Sequence, residues 1–276
     1  MKRYLRWALG SIVSIAGVNA AMAADMAVKA LPPAAPIAVY NWNGWYAGVN
    51  AGWAWGNSSG NLDSFSTTPP GVDFTAAVTA GGTPRFLGAD HEGGFGGGQI
   101  GYNWQTTNWL LGLEADIQGA DIGRTSTVIF PGGVGGIVPS VSTGRDHLDW
   151  FGTARGRAGV TANNVLFYGT GGLAYGGVHS SVTNVFTPGT AGTFGGGSSV
   201  TRLGWAAGAG VEWGFAPNWT VKGEYLHVDL GSSNATIFDP VNFPGAFATY
   251  RFRHQLDTVR VGVNYRFGGG PLVAKY

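Results

Sequence analysis

Apolar and polar side chains alternate with a period of two residues along most of the chain, which predicts β-strands. The contrast is sharpest in residues 109–118, where large apolar residues alternate with glycine, acidic residues and glutamine. Residues 165–175 are ambiguous, because bulky side chains occupy both faces. The pattern predicts eight strands, which span residues 45–55, 98–105, 109–118, 148–160, 165–175, 203–215, 219–228 and 258–267.

The two faces of the predicted strands differ in chemistry. One face carries full charges among glycines, and the other carries aromatic and aliphatic side chains. A barrel in lipid has this polar-in, apolar-out arrangement, whereas a soluble barrel has the inverse. Nine charged residues are therefore expected to face the lumen and to form a charge network there: Glu114, Asp116, Arg155, Arg157, Glu212, Lys222, Glu224, Arg260 and Arg266.

The connections between the predicted strands alternate in length. Residues 106–108, 161–164 and 216–218 form short turns, while the stretches 57–93, 119–146, 177–201 and 230–256 are long. Soluble domains rarely contain four such loops. The fold class predicted is all-β: an eight-stranded antiparallel up-and-down transmembrane β-barrel with short periplasmic turns and long extracellular loops. Ten strands stay an alternative, with residues 72–79 or 181–186 as additional strands.

Aromatic residues cluster beside the short turns. Trp and Tyr side chains favour the boundary between lipid and water, so this cluster predicts a periplasmic aromatic belt. The residues expected in this belt are Trp42, Trp45, Trp104, Trp109, Trp213, Phe215, Trp219, Tyr265 and Phe267.

The N-terminus has the features of a cleaved secretory signal. Lys2, Arg3 and Arg6 precede a short apolar stretch, and Ala21-Met22-Ala23 fits a cleavage site. The predicted organisation is a signal peptide over residues 1–23, an Ala/Pro-rich periplasmic leader over 24–41, and a barrel over 42–276. The expected location is the bacterial outer membrane.

Composition narrows the possible functions. The chain contains no cysteine, which excludes disulfides and thiolate sites. Its formal net charge is +1, and loss of the signal removes three basic residues and no acidic one, which leaves −2. Such a balance does not support nucleic-acid binding.

Several stretches together resemble one family. They are residues 41–50 (NWNGWYAGVN), 97–104 (GGQIGYNW), 171–176 (GGLAYG), 208–213 (GAGVEW), 219–226 (WTVKGEYL) and 260–267 (RVGVNYRF). On these, the chain resembles the small outer-membrane β-barrel proteins of alphaproteobacteria, the family of the major outer-membrane immunogenic proteins. The resemblance implies an OmpA-like eight-stranded barrel with surface exposure, and it does not imply an enzyme. Such barrels often finish on the last aromatic of the final strand, here Phe267, but this chain continues to Tyr276.

The interior of an eight-stranded barrel is just wide enough to be filled by side chains. The first functional hypothesis is therefore a structural and surface-exposed protein, antigenic or adhesive, whose lumen is largely plugged by paired charges. A small porin-like channel for ions or small solutes is the alternative. A lipid-modifying enzyme at the rim is a third hypothesis, which would require converging side chains around His147 or His254.

The remaining expectations concern ligands and partners. The five histidines, His91, His147, His179, His227 and His254, are expected in loops or near the outer rim, and Asp149 is expected on the inward face. No cofactor, metal or catalytic residue is predicted. The expected partners are outer-membrane lipids including lipopolysaccharide, the barrel assembly machinery through the C-terminal strand, and a host or surface ligand through the long loops.

Overall fold

The computed structural model describes residues 40–58, 60–67, 74–187 and 192–268. The predicted signal peptide, nearly all of the predicted leader and the tail beyond residue 268 lie outside these ranges. The strands are β1 (Gly44–Ser58), β2 (Gly60–Phe65), β3 (Ala89–Thr106), β4 (Trp109–Phe130), β5 (Ser140–Ala162), β6 (Val165–Phe186), β7 (Thr193–Ala216), β8 (Trp219–Asp239) and β9 (Phe243–Arg266). The helix α1 spans Thr75–Ala80, and a single 3₁₀ turn spans Val134–Gly136.

Eight of these strands close into a ring. Consecutive strands from β3 to β9 pair antiparallel, and β1 pairs with both β3 and β9. Strand β2 follows β1 along the chain and adds to β9, where Gly60 pairs with Phe252. Closure leaves no free sheet edge in the β1–β9 wall, as lipid requires. The predicted eight-stranded antiparallel barrel is confirmed, and the ten-stranded alternative is wrong for the described residues, because 75–79 are helical and 181–186 belong to β6.

The strands are longer than the alternation predicted, and the expectation of four long loops is wrong in large part. Strand β4 continues to Phe130 and β5 begins at Ser140, while only residues 240–242 separate β8 from β9. The short connections, in contrast, lie where they were expected: residues 107–108, 163–164 and 217–218. Each strand therefore has two parts, a lower part near the short turns and an upper extension.

The lower part of the wall has an apolar outer face. Large outward side chains such as Val49, Leu113, Phe167, Leu173 and Val261 are exposed. An apolar surface that encircles the barrel is stable only in lipid. On β1, exposed tryptophans stand ten residues apart, and the strand rise and tilt separate them by about 25 Å, which matches the apolar band of an outer-membrane barrel. Within the described residues, no helix has the length and apolar character needed to cross a membrane.

The upper extension has the inverse chemistry. Along β9, the inward residues Leu256, Phe252, Tyr250 and Ala248 are buried, and the outward residues include Arg251 and Arg253. Inward apolar residues with outward polar residues are the pattern of a barrel in water. This inversion explains the error about the loops, since a strand recognised by an apolar outer face is not recognised where that face becomes polar.

Residues 74–88, which precede β3, fill the upper end of the lumen. Helix α1 ends at Ala80, and its C-cap residue Gly81 has the left-handed backbone (φ 90°) that commonly terminates helices. The Gly82 carbonyl accepts a hydrogen bond from Ser140 Oγ at 2.6 Å and another from Asn184 Nδ2 at 3.2 Å. The Tyr250 hydroxyl donates to the Pro84 carbonyl at 2.8 Å. These contacts hold the segment inside the barrel.

Two neighbouring residues test whether the upper extension is a strand. Ser181 faces outward, and Val182 is buried against the lumen. Since the chain has no cysteine, we expect Ser181→Cys to react with a bulky hydrophilic maleimide in the folded protein, and Val182→Cys to react only after unfolding. Mass spectrometry of the labelled protein measures both. Equal, fast labelling at both positions would show a loop rather than a strand.

Candidate functional site: the barrel lumen

The lumen is filled by side chains in layers that succeed one another from the short turns to the upper end. The order follows from the inward positions along each strand; on β5 it runs through Arg157, Arg155, Phe151, Leu148 and Asp146. We name the layers by their content: a lower apolar layer, a charge layer, a middle apolar layer, a histidine layer and an upper apolar layer.

Glu114 on β4 lies at the centre of the charge layer. It accepts hydrogen bonds from Arg155 Nη2 at 2.6 Å, from Lys222 Nζ at 2.7 Å and from the Tyr46 hydroxyl at 2.7 Å. Its carboxylate also lies within 3.4 Å of Arg260 Nη2. One carboxylate thus binds cations from β5, β8 and β9, because the closed ring brings these strands to face one another across the lumen.

Two further carboxylates share the same cations. Asp116 lies 3.1 Å from both Arg155 Nη2 and Arg260 Nη1, and Thr153 Oγ1 donates to it at 2.7 Å. Glu224 forms ion pairs with Arg260 and, at 3.2 Å, with Arg155. Each arginine therefore bridges at least two carboxylates, which compensates the high cost of removing these charges from water.

Arg157 lies 3.8 Å from Glu114 Oε2 and forms its shorter ion pair with Glu212, nearer the short turns. Its Nη1 lies 2.9 Å from Glu212 Oε2, and its Nε donates to Asn103 Oδ1 at 2.9 Å. Its guanidinium carbon lies 4.6 Å from the ring centroid of Tyr46 and 5.3 Å from that of Tyr168. Such placement between two aromatic faces stabilises a desolvated cation.

The structure places all nine residues of the predicted lumen network in the interior, each between 1% and 4% exposed. Eight of them make ion pairs with one another. Arg266 differs, because no carboxylate of the described residues lies within 4 Å of it; its guanidinium stacks 4.6 Å above the ring of Tyr40. Five cations against four carboxylates leave the layer with one surplus positive charge.

Glycine makes room for these long side chains. A Cβ at Gly101 would lie 2.2 Å from the Tyr46 hydroxyl, and one at Gly112 would lie 3.1 Å from Cγ of Arg157. Both distances are shorter than ordinary van der Waals contact, so a larger residue at either position would displace a member of the charge layer.

Apolar layers lie on both sides of the charges. The lower one, beside the short turns, contains Trp42, Leu110, Leu166 and Tyr168. It also resolves the ambiguity of β6, since Leu166 and Tyr168 face inward and Phe167 faces outward. The middle one consists of Ala54, Phe95, Ile122, Leu148, Phe151, Ala174, Val178, Ala206, Leu226, Val228, Leu230 and Leu256. Ions would have to cross packed apolar side chains in both layers.

The histidine layer lies above the middle apolar layer. His254 Nδ1 lies 3.1 Å from Asp146 Oδ2, and His254 Nε2 lies 2.8 Å from Ser233 Oγ. Ser180 Oγ donates to Asp146 Oδ1 at 2.8 Å and lies 3.2 Å from Ser233 Oγ. The hydrogen bonds link serine, histidine and aspartate in the order found in hydrolytic triads. However, Ser233 is only 1% exposed.

The space beside this layer is small. Two cavities lined by His91 and Asp146 have volumes of about 10 Å³ each, which is room for about one water molecule. No substrate reaches Ser233 in this arrangement. The layer is a hydrogen-bonded polar belt between two apolar layers, and the upper of these contains Phe74, Ala77, Val78, Leu87, Val182, Phe186, Phe194, Ala235, Ile237, Ala246, Ala248, Tyr250 and Phe252.

The five histidines were expected in loops or near the outer rim; all five lie within strands, with His227 on β8 at 2.9 Å from Asp257. His91 and His254 are buried in the lumen, while His147 and His179 lie on the outer face of β5 and β6. Asp149 lies between the latter two, at 3.0 Å from His147 and 2.9 Å from His179. The expectation that Asp149 faces inward is wrong, because the register shifts between Leu148 and Trp150 and turns it outward. Among the described residues, no group of three or more His, Asp or Glu side chains is arranged to hold a metal ion.

The predicted periplasmic belt divides into two groups. Eight of its residues are exposed on the outer face beside the short turns: Trp45, Trp104, Trp109, Trp213, Phe215, Trp219, Tyr265 and Phe267. Trp42 is fully buried, so its assignment to the belt is wrong. It precedes Gly44, where β1 begins with a φ of 113°, and is therefore not bound by the strand alternation. The chain enters the mouth there, and the Trp42 backbone N–H donates to Gln105 Oε1 at 2.9 Å.

The family model for the outer membrane protein beta-barrel domain matches residues 16–267 of this chain. The chain belongs to this outer-membrane β-barrel family. Its location in the outer membrane follows, and the lipid-facing and water-facing parts of the wall agree with it. The expected resemblance to alphaproteobacterial outer-membrane proteins is likewise confirmed by the relatives.

Curated relatives of this β-barrel protein come from alphaproteobacteria. It is 39% identical over 263 residues to the 31 kDa outer-membrane immunogenic protein of Brucella melitensis biotype 1, a match that covers 93% of this chain and 98% of the relative. It is 30% identical over 183 residues to the 22 kDa outer membrane protein of Rhizobium leguminosarum bv. viciae, covering 66% of this chain and 71% of the relative.

Solved outer-membrane barrels are more distant. The outer membrane protease OmpT from Escherichia coli matches with a TM-score of 0.45 at 13% identity, covering 82% of this chain and 98% of that one. The outer membrane protein OprG from Pseudomonas aeruginosa matches with a TM-score of 0.43 at 14% identity, covering 83% and 99%.

Sequence reasoning overlooked the neutral partners of the lumen charges. Tyr46 and Tyr168 donate to Glu114 and Glu224, and Asn264 donates to Glu212. Each occupies an inward position of its strand, so the alternation carried a signal for them. Alternation assigns a residue to a face, but it does not show which charged group an inward Tyr or Asn side chain will reach.

Loss of the central carboxylate is expected to destabilise this β-barrel protein strongly. Glu114→Gln leaves Arg155 and Lys222 without their shortest ion pairs, and breaking a buried pair costs about 3–5 kcal/mol. The matched control is Asp63→Asn, which breaks an exposed pair with Arg251 and should cost about 0–1 kcal/mol. Denaturant unfolding in detergent micelles measures both. Similar losses for the two variants would contradict the assigned role of Glu114.

Proposed function

We propose that this protein is a structural and surface-exposed β-barrel of the outer membrane, which presents a stiff antigenic or adhesive surface on a sealed membrane anchor. The observation that carries the proposal is the combination of a lumen filled in every layer with a wall that continues above the lipid. Relatives named as outer-membrane immunogenic proteins support the antigenic part.

The filled lumen argues against the channel alternative. A conducting pore needs a continuous water path, and here Phe151, Leu226 and Leu256 belong to a packed apolar layer above the charges. Because the charge layer pairs almost every ion internally, it offers no ring of free charges for ion selection. We assign no catalytic role, since Ser233 and His254 are buried together beneath the upper apolar layer.

The upper extension supports a role in surface contact. Its outward face carries small polar residues and a few arginines, among them Thr183, Thr236, Arg251 and Arg253, and it also exposes apolar side chains such as Ile129, Phe238 and Phe247. Paired strands hold these side chains at fixed spacing, so a ligand would lose little entropy in ordering them. We propose that a host or surface ligand binds this face, that lipopolysaccharide surrounds the lower part, and that β9 is read by the barrel assembly machinery.

Planar-bilayer recording tests the sealed lumen. We expect the purified, folded protein to produce no stable ion-selective steps, since packed apolar layers dewet the path. A general porin that is prepared and inserted in the same way is the positive control. Reproducible conductance steps from this protein would overturn the proposed anchor and support the small channel.

Labelling of intact cells tests surface display. Ser181→Cys should react with a membrane-impermeant maleimide on whole cells, because the outward face of β6 stands above the lipid there. The paired control Val182→Cys should stay unlabelled on the same cells. Absence of labelling at Ser181→Cys in a folded, outer-membrane sample would contradict an exposed extension.

A further inference from the structure

Four buried N–H donors at the periplasmic end of the lumen have no acceptor among the residues that the structure describes. They are Nε and Nη1 of Arg266, Nη2 of Arg157 and Nε1 of Trp42. Their side chains are at most 4% exposed. Buried donors are nearly always hydrogen-bonded, and an unmet donor costs about 1–3 kcal/mol, more for a charged group. Several unmet donors in one region therefore require an explanation.

Contacts place these three side chains in the same region. The guanidinium carbon of Arg266 lies 5.8 Å from the ring centroid of Trp42. Trp42 packs in the lower apolar layer with Tyr168, and Arg157 lies over the Tyr168 ring. Both arginines are also close enough to interact electrostatically with Glu212. The unmet donors thus surround the closed mouth of the barrel.

Glu212 accepts no hydrogen bond from Arg266. Its Oε2 is held by Arg157, and its Oε1 accepts from Thr220 and Asn264. No ion pair within 4 Å joins Arg266 to a carboxylate of the described residues. Arg266 is thus the surplus cation among the five in the charge layer, and it is 2% exposed.

The chemistry of the region selects the class of ligand. A water molecule accepts two hydrogen bonds and must place two protons of its own, so a set of donors alone does not satisfy it. An anion accepts hydrogen bonds from donors on every side, and its charge also neutralises a buried cation. One surplus positive charge matches one negative charge. We propose that the periplasmic end of the lumen binds one small monovalent anion, of the size of chloride, between Arg266, Arg157 and Trp42.

The surroundings make such a site selective for small ions. Residues 40–43 close the mouth. Gln105 Oε1 accepts a hydrogen bond from the Trp42 backbone N–H, and the Gln105 backbone N–H donates to Asn43 Oδ1 at 2.7 Å. Leu110 and Leu166 bound the region with apolar atoms. A bulky organic anion does not pass this closure, so the ion enters during folding or during transient opening of residues 40–43.

Anion-dependent stability is the first test. We expect the melting temperature of the folded protein in micelles to rise by about 2–4 °C between about 5 mM and about 300 mM sodium chloride, relative to sodium gluconate at equal ionic strength. Arg266→Met should remove this difference. The matched control Arg253→Met, on the same strand but exposed and paired with Asp229, should retain it. Equal melting in chloride and gluconate for the unaltered protein would overturn the proposal.

Bromide provides a test that needs no variant. Crystals grown in sodium bromide should show one anomalous peak within hydrogen-bond distance of Arg266 and Trp42 Nε1. Trp42→Phe, which removes only one donor, should weaken that peak and leave the fold intact. A map with bromide elsewhere and none beside Arg266 would refute the site. Neither result bears on the absence of conductance, so this inference and the proposed function fail separately.

Discussion

At every height the barrel wall separates the lumen from the surroundings of the protein. These surroundings change from lipid to water part-way along each strand. In the lower part the outer face must be apolar, and Val49, Leu113 and Val261 satisfy that requirement. Above the lipid the outer face must be polar, so the apolar residues of the strands face the lumen there. The same β-ladder continues through this change, because backbone pairing does not depend on which face is apolar.

This inversion determines what the interior contains. In the lower part the charge layer lies in a narrow lumen that side chains fill, so its charges must be paired. Glu114, Arg155 and Arg260 meet this condition by sharing partners. Buried ion pairs add little net stability compared with well-packed apolar residues. They are costly to break singly, and they favour the one register in which all partners meet.

The upper extension uses the ordinary hydrophobic effect. Phe74 and Val78 from the segment between β2 and β3 pack against Val182, Ile237 and other residues of the wall. This core and the charge layer are separated by the middle apolar layer and the histidine layer, in which Asp146, His254 and Ser233 satisfy one another. The molecule therefore combines a membrane barrel and a water-soluble barrel on one set of strands, and the sealed interior is a consequence of both.

The sequence by itself determined the antiparallel up-and-down order of the ring strands, the short turns and the inward position of all nine lumen charges, whereas the export signal stays a prediction. It did so because the period of two is local: a residue and its neighbour must face opposite sides. It failed at Asp149, where a bulge shifts the period, and at Trp42, which lies before the strand begins. The prediction of the strand ends also failed above the lipid, because there the apolar side chains face the lumen and the polar side chains face outward.

Only the tertiary structure decided which inward residues meet. Glu114 and Lys222 are 108 positions apart, and Asp146 and His254 are equally distant along the chain. Alternation assigns each of them to the lumen, but ring closure, strand stagger and register set their height and partners. The predicted lumen residues already include one more cation than carboxylates, but only the structure shows that Arg266 is the cation without a carboxylate partner.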